Sequence, residues 1–225
     1  MIKTTEFQLF AEHLFMNELA SISGYRYADS KLNDSHVYLL PQVERVLDDF
    51  EKASKGRTLI DVGCGNGSVT KLMSLRGYTC IGLDASVEGV RLANEMYPDI
   101  EILQGSAYDD LSSLHGTFDV VMSLEVVEHL YDPRKYAANL YSLVKEEGIV
   151  IISTPYHGYF KNLAMAVTGK LDKHFTALWD HGHIKFWSIA TLTKLLREAG
   201  FSEIQFHRVG RIPPLAKSMI AVAKR

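Results

Sequence analysis

The chain predicts an α/β fold, a mostly parallel sheet with helices on both faces. Three observations predict it. Short apolar runs recur from residue 57 onward, most of them ended by glycine, an acid or proline. Stretches of helical period separate them. A glycine-rich loop, "DVGCGNGS", joins the first run to the first of those stretches. Strand and helix taking turns in this way argue for parallel strands linked by crossover helices.

Taken in order, residues 1–55 are read as an N-terminal helical cap, because "LPQVERVLDDFEKA" sets Val43, Val46, Leu47 and Phe50 on one stripe. Residues 56–155 form the cofactor-binding core. There "RTLIDVG", "YTCIGLD", "IEILQG", "FDVVMSLE" and "IVIISTP" read as strands. Between them lie helices: "SVTKLMSLRG" with a glycine stop, "SVEGVRLANEMYPD" behind the capping residue Ser86, and "DPRKYAANLYSLVKEEG" behind an Asp-Pro start. Residues 156–183 fit neither period cleanly and are read as an insertion or lid. Residues 184–225 complete the sheet with one more helix, "SIATLTKLLREAG", and two closing strands, with "RIPPL" as a bend between them.

Length and charge narrow the function classes. The 225 residues, 47% of them hydrophobic, suffice for one core and require no second domain. A net charge of −3 supplies no global basic field, so nucleic acid is an unlikely partner. Cys64 and Cys80 give no disulfide framework, which suggests a reduced, cytoplasmic chain. No apolar run reaches the ~18–20 residues that span a bilayer. "NLAMAVTGKL", apolar between Lys161 and Lys170, has the composition of an interfacial helix. Peripheral membrane contact through residues 161–170 is therefore an expectation beside that of a lid helix. Oligomeric state is not legible.

Ligands of such sheets lie beyond the carboxyl ends of the strands. At the first of these ends, Gly63, Gly65 and Gly67 let a ligand approach the backbone, and the helix start offers free N–H groups. Asp84, ending the next strand, stands where two hydrogen bonds would hold a ribose diol. Asp61 decides between nucleotides. A carboxylate two residues before the first glycine repels a pyrophosphate and suits a ligand bearing an ammonium and a sulfonium. That disfavours a nicotinamide dinucleotide and favours S-adenosyl-L-methionine.

At the end of the fourth run stands "EVVEHL". One helical turn would bring Glu125, Glu128 and His129 to one face. Such a face is a solvated edge, an acid/base cluster or a metal site.

"LIDVGCGNGSVT", "GLDAS", "FDVVMSLEVVEHL" and "EEGIVIISTP" resemble, in order and spacing, the motifs of class I S-adenosylmethionine-dependent methyltransferases over roughly residues 55–210. The resemblance implies a Rossmann-like, seven-stranded, mostly parallel sheet whose last strand runs antiparallel. It implies cofactor contacts at Asp61 and Gly63 near the methionine end and at Asp84 for the ribose. It further implies Ala85, Ser106 and Ala107 around the adenine, and Leu124 through its backbone. "EVVEHL" narrows the likeness to the ubiquinone-biosynthesis O-methyltransferases and the small-RNA 2′-O-methyltransferases. In both, this motif is implied to hold a divalent cation, here by Glu125, Glu128 and His129. A fourth ligand, His183 or its neighbour His181, would come from "DHGHIKFWS".

The expected function is O-methylation of a small phenolic or diol acceptor, assisted by Mg²⁺ or another divalent cation, with Glu125 and His129 as catalytic groups. N-methylation of an amine or amino sugar without metal is the alternative, and a non-catalytic cofactor-binding protein another.

Overall fold

The computed structural model of the chain describes residues 31–179 and 182–225. The expected cap over residues 1–30, and His181, lie outside the described residues.

The described chain runs α1 (His36–Ala53), β1 (Thr58–Val62), α2 (Ser68–Leu75), β2 (Thr79–Asp84), α3 (Val87–Met96), β3 (Glu101–Gln104), α4 (Leu111–His115) and β4 (Phe118–Leu124). It continues through a 3₁₀ turn (Val127–His129), α5 (Pro133–Leu143), β5 (Val144–Pro155), α6 (Tyr159–Val167), α7 (Leu171–Phe175), α8 (Ile189–Ala199), β6 (Ser202–Val209), a second 3₁₀ turn (Pro213–Leu215) and β7 (Ser218–Lys224). The seven strands lie in the order β3-β2-β1-β4-β5-β7-β6. β7 runs antiparallel to both its neighbours, as the resemblance implies.

Alternation along each strand builds two apolar layers, because successive side chains point to opposite faces. Ile60, Val62, Val121, Val150 and Ile152 face one way and meet Tyr136, Leu140, Leu192 and Leu196 from α5 and α8. Leu59, Val120, Met122 and Ile151 face the other way and meet Leu39, Val43, Leu47, Val69 and Met73 from α1 and α2. Each buried leucine contributes roughly 2 kcal/mol through apolar area removed from water. The stripe expected on α1 is the buried one, with Val43, Val46, Leu47 and Phe50 all inside.

Capping explains the helix starts. Ser86 accepts from the Gly89 N–H at 3.1 Å and Asp132 from the Lys135 N–H at 3.1 Å. Ser188 and Thr191 form a reciprocal capping box, and α8 stops at Gly200 with φ +111°.

Two expectations are corrected. The helix expected to run to Gly148 ends at Leu143, because Val144 turns extended and pairs with Phe118 across a bulge. Residues 156–183, which show no clean period, hold two short helices, α6 and α7, among the described residues. Their mixed composition hides the period, because few of their side chains face the core; Tyr159, Phe160 and Val167 are exposed. α4 was not expected at all.

Candidate active site

The strand order reverses between β1 and β4, and such a switch point is where parallel sheets hold their ligands. The loop after β1 is held down by backbone bonds from Gly63 and Cys64 N–H to the Leu83 carbonyl, at 2.7 and 3.1 Å. Gly63 has φ +85°, and a Cβ there would stand 2.3 Å from Val126 Cγ2, so only glycine fits against the turn after β4. Asn66 accepts from the Ser68 N–H and opens α2.

Two buried acids flank this loop. Asp61 is 2% exposed and accepts the Thr70 hydroxyl at 2.7 Å. Burial pushes its carboxyl up to about 7, with the Asp84 charge adding to the rise and Thr70 opposing it. Asp84 accepts the N–H groups of Gly65 at 2.8 Å and Ser86 at 2.7 Å. Burial raises it too, against those two bonds. Each carboxylate oxygen keeps a further lone pair for a ligand hydroxyl. Neither acid forms an ion pair among the described residues. The loop therefore carries two buried carboxyls with lone pairs to spare, and a cationic, phosphate-free donor would favour their ionised form.

Ala85 is half-buried beside Asp84. Ser106 and Ala107 follow β3: the Ser106 N–H donates to Asp109, and the Ala107 carbonyl accepts from Asn139. Leu124 ends β4, buried and paired with Ser153. These positions, with Asp61, Gly63, Gly65 and Asp84, lie at or just beyond the carboxyl ends of β1–β4.

The "EVVEHL" segment breaks the expectation of one shared face. Glu125 has φ +56°, a strained conformation for a residue with a side chain. Its N–H donates to Ser153 Oγ at 3.0 Å, and that hydroxyl donates back to Glu125 Oε1 at 2.8 Å. Ser218 donates to Oε2 at 3.4 Å. Burial pushes Glu125 up to about 7, against those hydroxyls and the Lys161 charge.

Glu128 instead points inward, 1% exposed, and neither of its oxygens makes a hydrogen bond of normal geometry. Burial, then the nearby Glu125 charge, raise its pKa well above the ordinary range; its own backbone and the Thr154 hydroxyl lower it slightly.

The return leg of the insertion brings His183 to this turn. Glu128 O accepts the N–H groups of Ile184 and Lys185, both at 2.9 Å, and the Trp187 indole donates to Val127 O at 3.3 Å. The His183 and His129 rings lie 4.9 Å apart. His129 Nδ1 stands 3.2 Å from Gly182 O, which can only accept, so Nδ1 carries a proton and Nε2 is the nitrogen left to bind an ion. Burial holds His183 down at about 4, helped by His129, His157 and His174, so its ring is neutral at pH 7. One ligand atom each from Glu128, His129 and His183 lies within 4.8 Å of the others. A carboxylate with two bare buried oxygens and two imidazoles fit a divalent cation. Among the described residues Glu125 is not in that group.

Below this cluster opens a cavity of about 620 Å³, bordered by Tyr38, Glu125, Lys161, Trp179, His183 and Arg211. Several of these escaped the sequence reading. Arg211 and Ser218 come from the last turn and strand, where nothing in the local text marks them. Lys161 was visible only as the edge of an apolar stretch. His157, in the insertion, is 7% exposed, and its ring stacks with Phe175 at 6.2 Å.

A parallel sheet with an antiparallel β7, a glycine loop after β1 and acids at the ends of β1 and β2 define a class I methyltransferase domain. The chain belongs to the methyltransferase domain family, whose profile matches residues 34–205. It is 33% identical over 136 residues to the ubiquinone biosynthesis O-methyltransferase of Caulobacter sp. (strain K31), covering 56% of this chain and 54% of that one. With the enzyme of the same name from Thiobacillus denitrificans it shares 32% identity, covering 64% of each chain. The chain thus spans about half to two thirds of the length of these curated relatives. Its fold matches magnesium protoporphyrin IX methyltransferase of Synechocystis PCC 6803 with bound SAH, at TM-score 0.64 and 19% identity, over 99% of this chain and 100% of that one. The PH0226 protein of Pyrococcus horikoshii OT3 matches at TM-score 0.66 and 19% identity, over 88% and 94%.

Proposed function

We propose that this chain transfers a methyl group from S-adenosylmethionine to an oxygen of a small phenolic or diol acceptor, with a divalent cation at Glu128, His129 and His183. The observation that carries the reading is the pairing of two sites at adjacent strand ends. One is a glycine loop flanked by two buried acids. The other is a buried carboxylate with bare oxygens beside two imidazoles.

When bound, the donor supplies an electrophilic methyl on a sulfonium. Asp61 lies where an ammonium would neutralise it, and Asp84 where a ribose diol would take its free lone pairs. In the transfer, the O–CH₃ bond forms as the S–CH₃ bond breaks in line. The acceptor hydroxyl loses its proton, and the electron pair of the breaking bond stays on sulfur, leaving neutral S-adenosylhomocysteine. Glu125, held by Ser153 and Ser218 and lining the cavity, is the first candidate base for that proton, and His129 the second. A cation at the three ligands would lower the pKa of a chelated hydroxyl.

Calorimetry with S-adenosylhomocysteine and with NADH tests the donor. Binding of the first and not the second is expected, and the reverse overturns the reading. Methyl transfer to catechol with and without EDTA tests the cation. An unchanged rate in EDTA, with loss of activity in His129→Ala, leaves a base role and removes the metal.

A further inference from the structure

We infer that the methyl acceptor carries an anionic group, a carboxylate or a phosphate, held by Lys161 and Arg211 at the cavity mouth; this rests on the methyl-transfer reading above. Five cations border the cavity, Lys161, Lys170, Lys173, Arg211 and Lys217, against one acid, Glu125. The chain as a whole is acidic, with net charge −3, so composition does not account for such a ring. Elsewhere on the described surface some lysines and arginines pair with carboxylates, as in Lys71–Asp99, Arg91–Glu95 and Lys224–Glu203, while others, such as Arg45 and Lys55, do not. None of the five cavity cations forms an ion pair among the described residues.

Lys161 separates this ring from an ordinary solvated face. It is 7% exposed, and the hydrogen bond found for its ammonium is to the Lys217 carbonyl at 3.1 Å. An ammonium offers three donors, and burying one without an anion is costly. Glu125 attracts it across the cavity, but that carboxyl is already taken up by two hydroxyls and makes no ion pair with it. Arg211, arriving from the turn between β6 and β7, repels Lys161, and burial with that repulsion brings the ammonium down to about 8. Lys161 and Arg211, from different elements, line one cavity, neither of them in an ion pair among the described residues, together with the acid that would receive the acceptor's proton. An acceptor with its hydroxyl at Glu125 and an acid group at Lys161 and Arg211 satisfies both ends. Lys170 and Lys173 would then steer it in.

The test is calorimetry on the full chain saturated with S-adenosylhomocysteine. The probes are 3,4-dihydroxybenzoate and its methyl ester, with inorganic phosphate as competitor. The acid is expected to bind about tenfold or more tighter than the ester, and phosphate to weaken the acid alone. Arg211→Gln and, separately, Lys161→Met should each remove most of that preference, chiefly by weakening the acid. Arg211 is exposed, so its variant still reports if the Lys161 variant fails to fold. Equal affinity for acid and ester, binding of neither, or equal loss of both in Arg211→Gln overturns the inference. So does Arg211-dependent retention on phosphatidylglycerol vesicles without any preference for the acid, which would assign the ring to a lipid surface. Absence of S-adenosylhomocysteine binding would instead remove the methyl-transfer reading itself.

Discussion

Glu128 sends a carboxylate oxygen to 4.0 Å from the Nε2 of His183, although the whole insertion separates them in the chain. The contact depends on the backbone bonds from Ile184 and Lys185 to the Glu128 carbonyl, which pin the strap to the turn. Gel-filtered protein loaded with Zn²⁺, Mn²⁺ or Mg²⁺ should retain about one ion per chain by elemental analysis. His183→Ala and Glu128→Gln should each weaken retention at least about tenfold. A wild-type chain that keeps none of the three ions would sink the cation site.

Asp61 predicts an inverted pH dependence of stability. Its folded pKa, about 7, lies above the ordinary value of 3.8. The folded state therefore holds the proton more tightly than the unfolded one. The ligand-free chain should lose stability as pH rises from about 4 to about 7, on the order of a few kcal/mol from this group. Glu125 adds to the same slope over its own window, from 4.5 to about 7. Urea midpoints at pH 5 and pH 7 check it: Asp61→Asn should flatten the difference, and an unaltered slope would mean that Asp61 is ionised in the fold.

Gly63→Ala meets two obstacles, a φ of +85° and the methyl of Val126. A loss of about 2 kcal/mol in urea denaturation is expected, together with weakened S-adenosylhomocysteine binding. Adding Val126→Ala should restore part of the stability by removing the collision, while the φ cost stays. Full recovery in the double variant would show that backbone conformation contributes nothing.

Ser153→Ala should separate positioning from folding. The hydroxyl accepts the Glu125 N–H and donates to the Glu125 carboxylate. Its loss should cost about 1–3 kcal/mol and release a side chain held in a strained conformation. Turnover should fall by more than about tenfold while S-adenosylhomocysteine affinity holds. Equal retention of turnover would remove Glu125 as the proton acceptor.

Much of this architecture was legible because its parts are local. "TLIDV" and "FDVVMSL" are buried on both faces, so they read as continuous apolar runs, and the glycines after β1 are demanded by positive φ. The start of β5 was hidden because Val144-Lys145-Glu146-Glu147 continues the composition of α5; only its pairing with β4 makes it a strand. The cluster was half legible. Glu128 and His129 are neighbours in sequence, but Glu125 turns away because Ser153, on the next strand, captures it. The cation ring was illegible: its members come from α6, α7 and the turn before β7, and each alone looks like a surface residue.

The insertion does two jobs at once: its helices wall the cavity, and its return leg delivers His183 to the turn after β4. On the proposed function, acceptor choice and ion retention would then depend on one cassette, separable from the cofactor loop. Swapping residues 156–187 between relatives should exchange both traits together and leave donor affinity with the host scaffold.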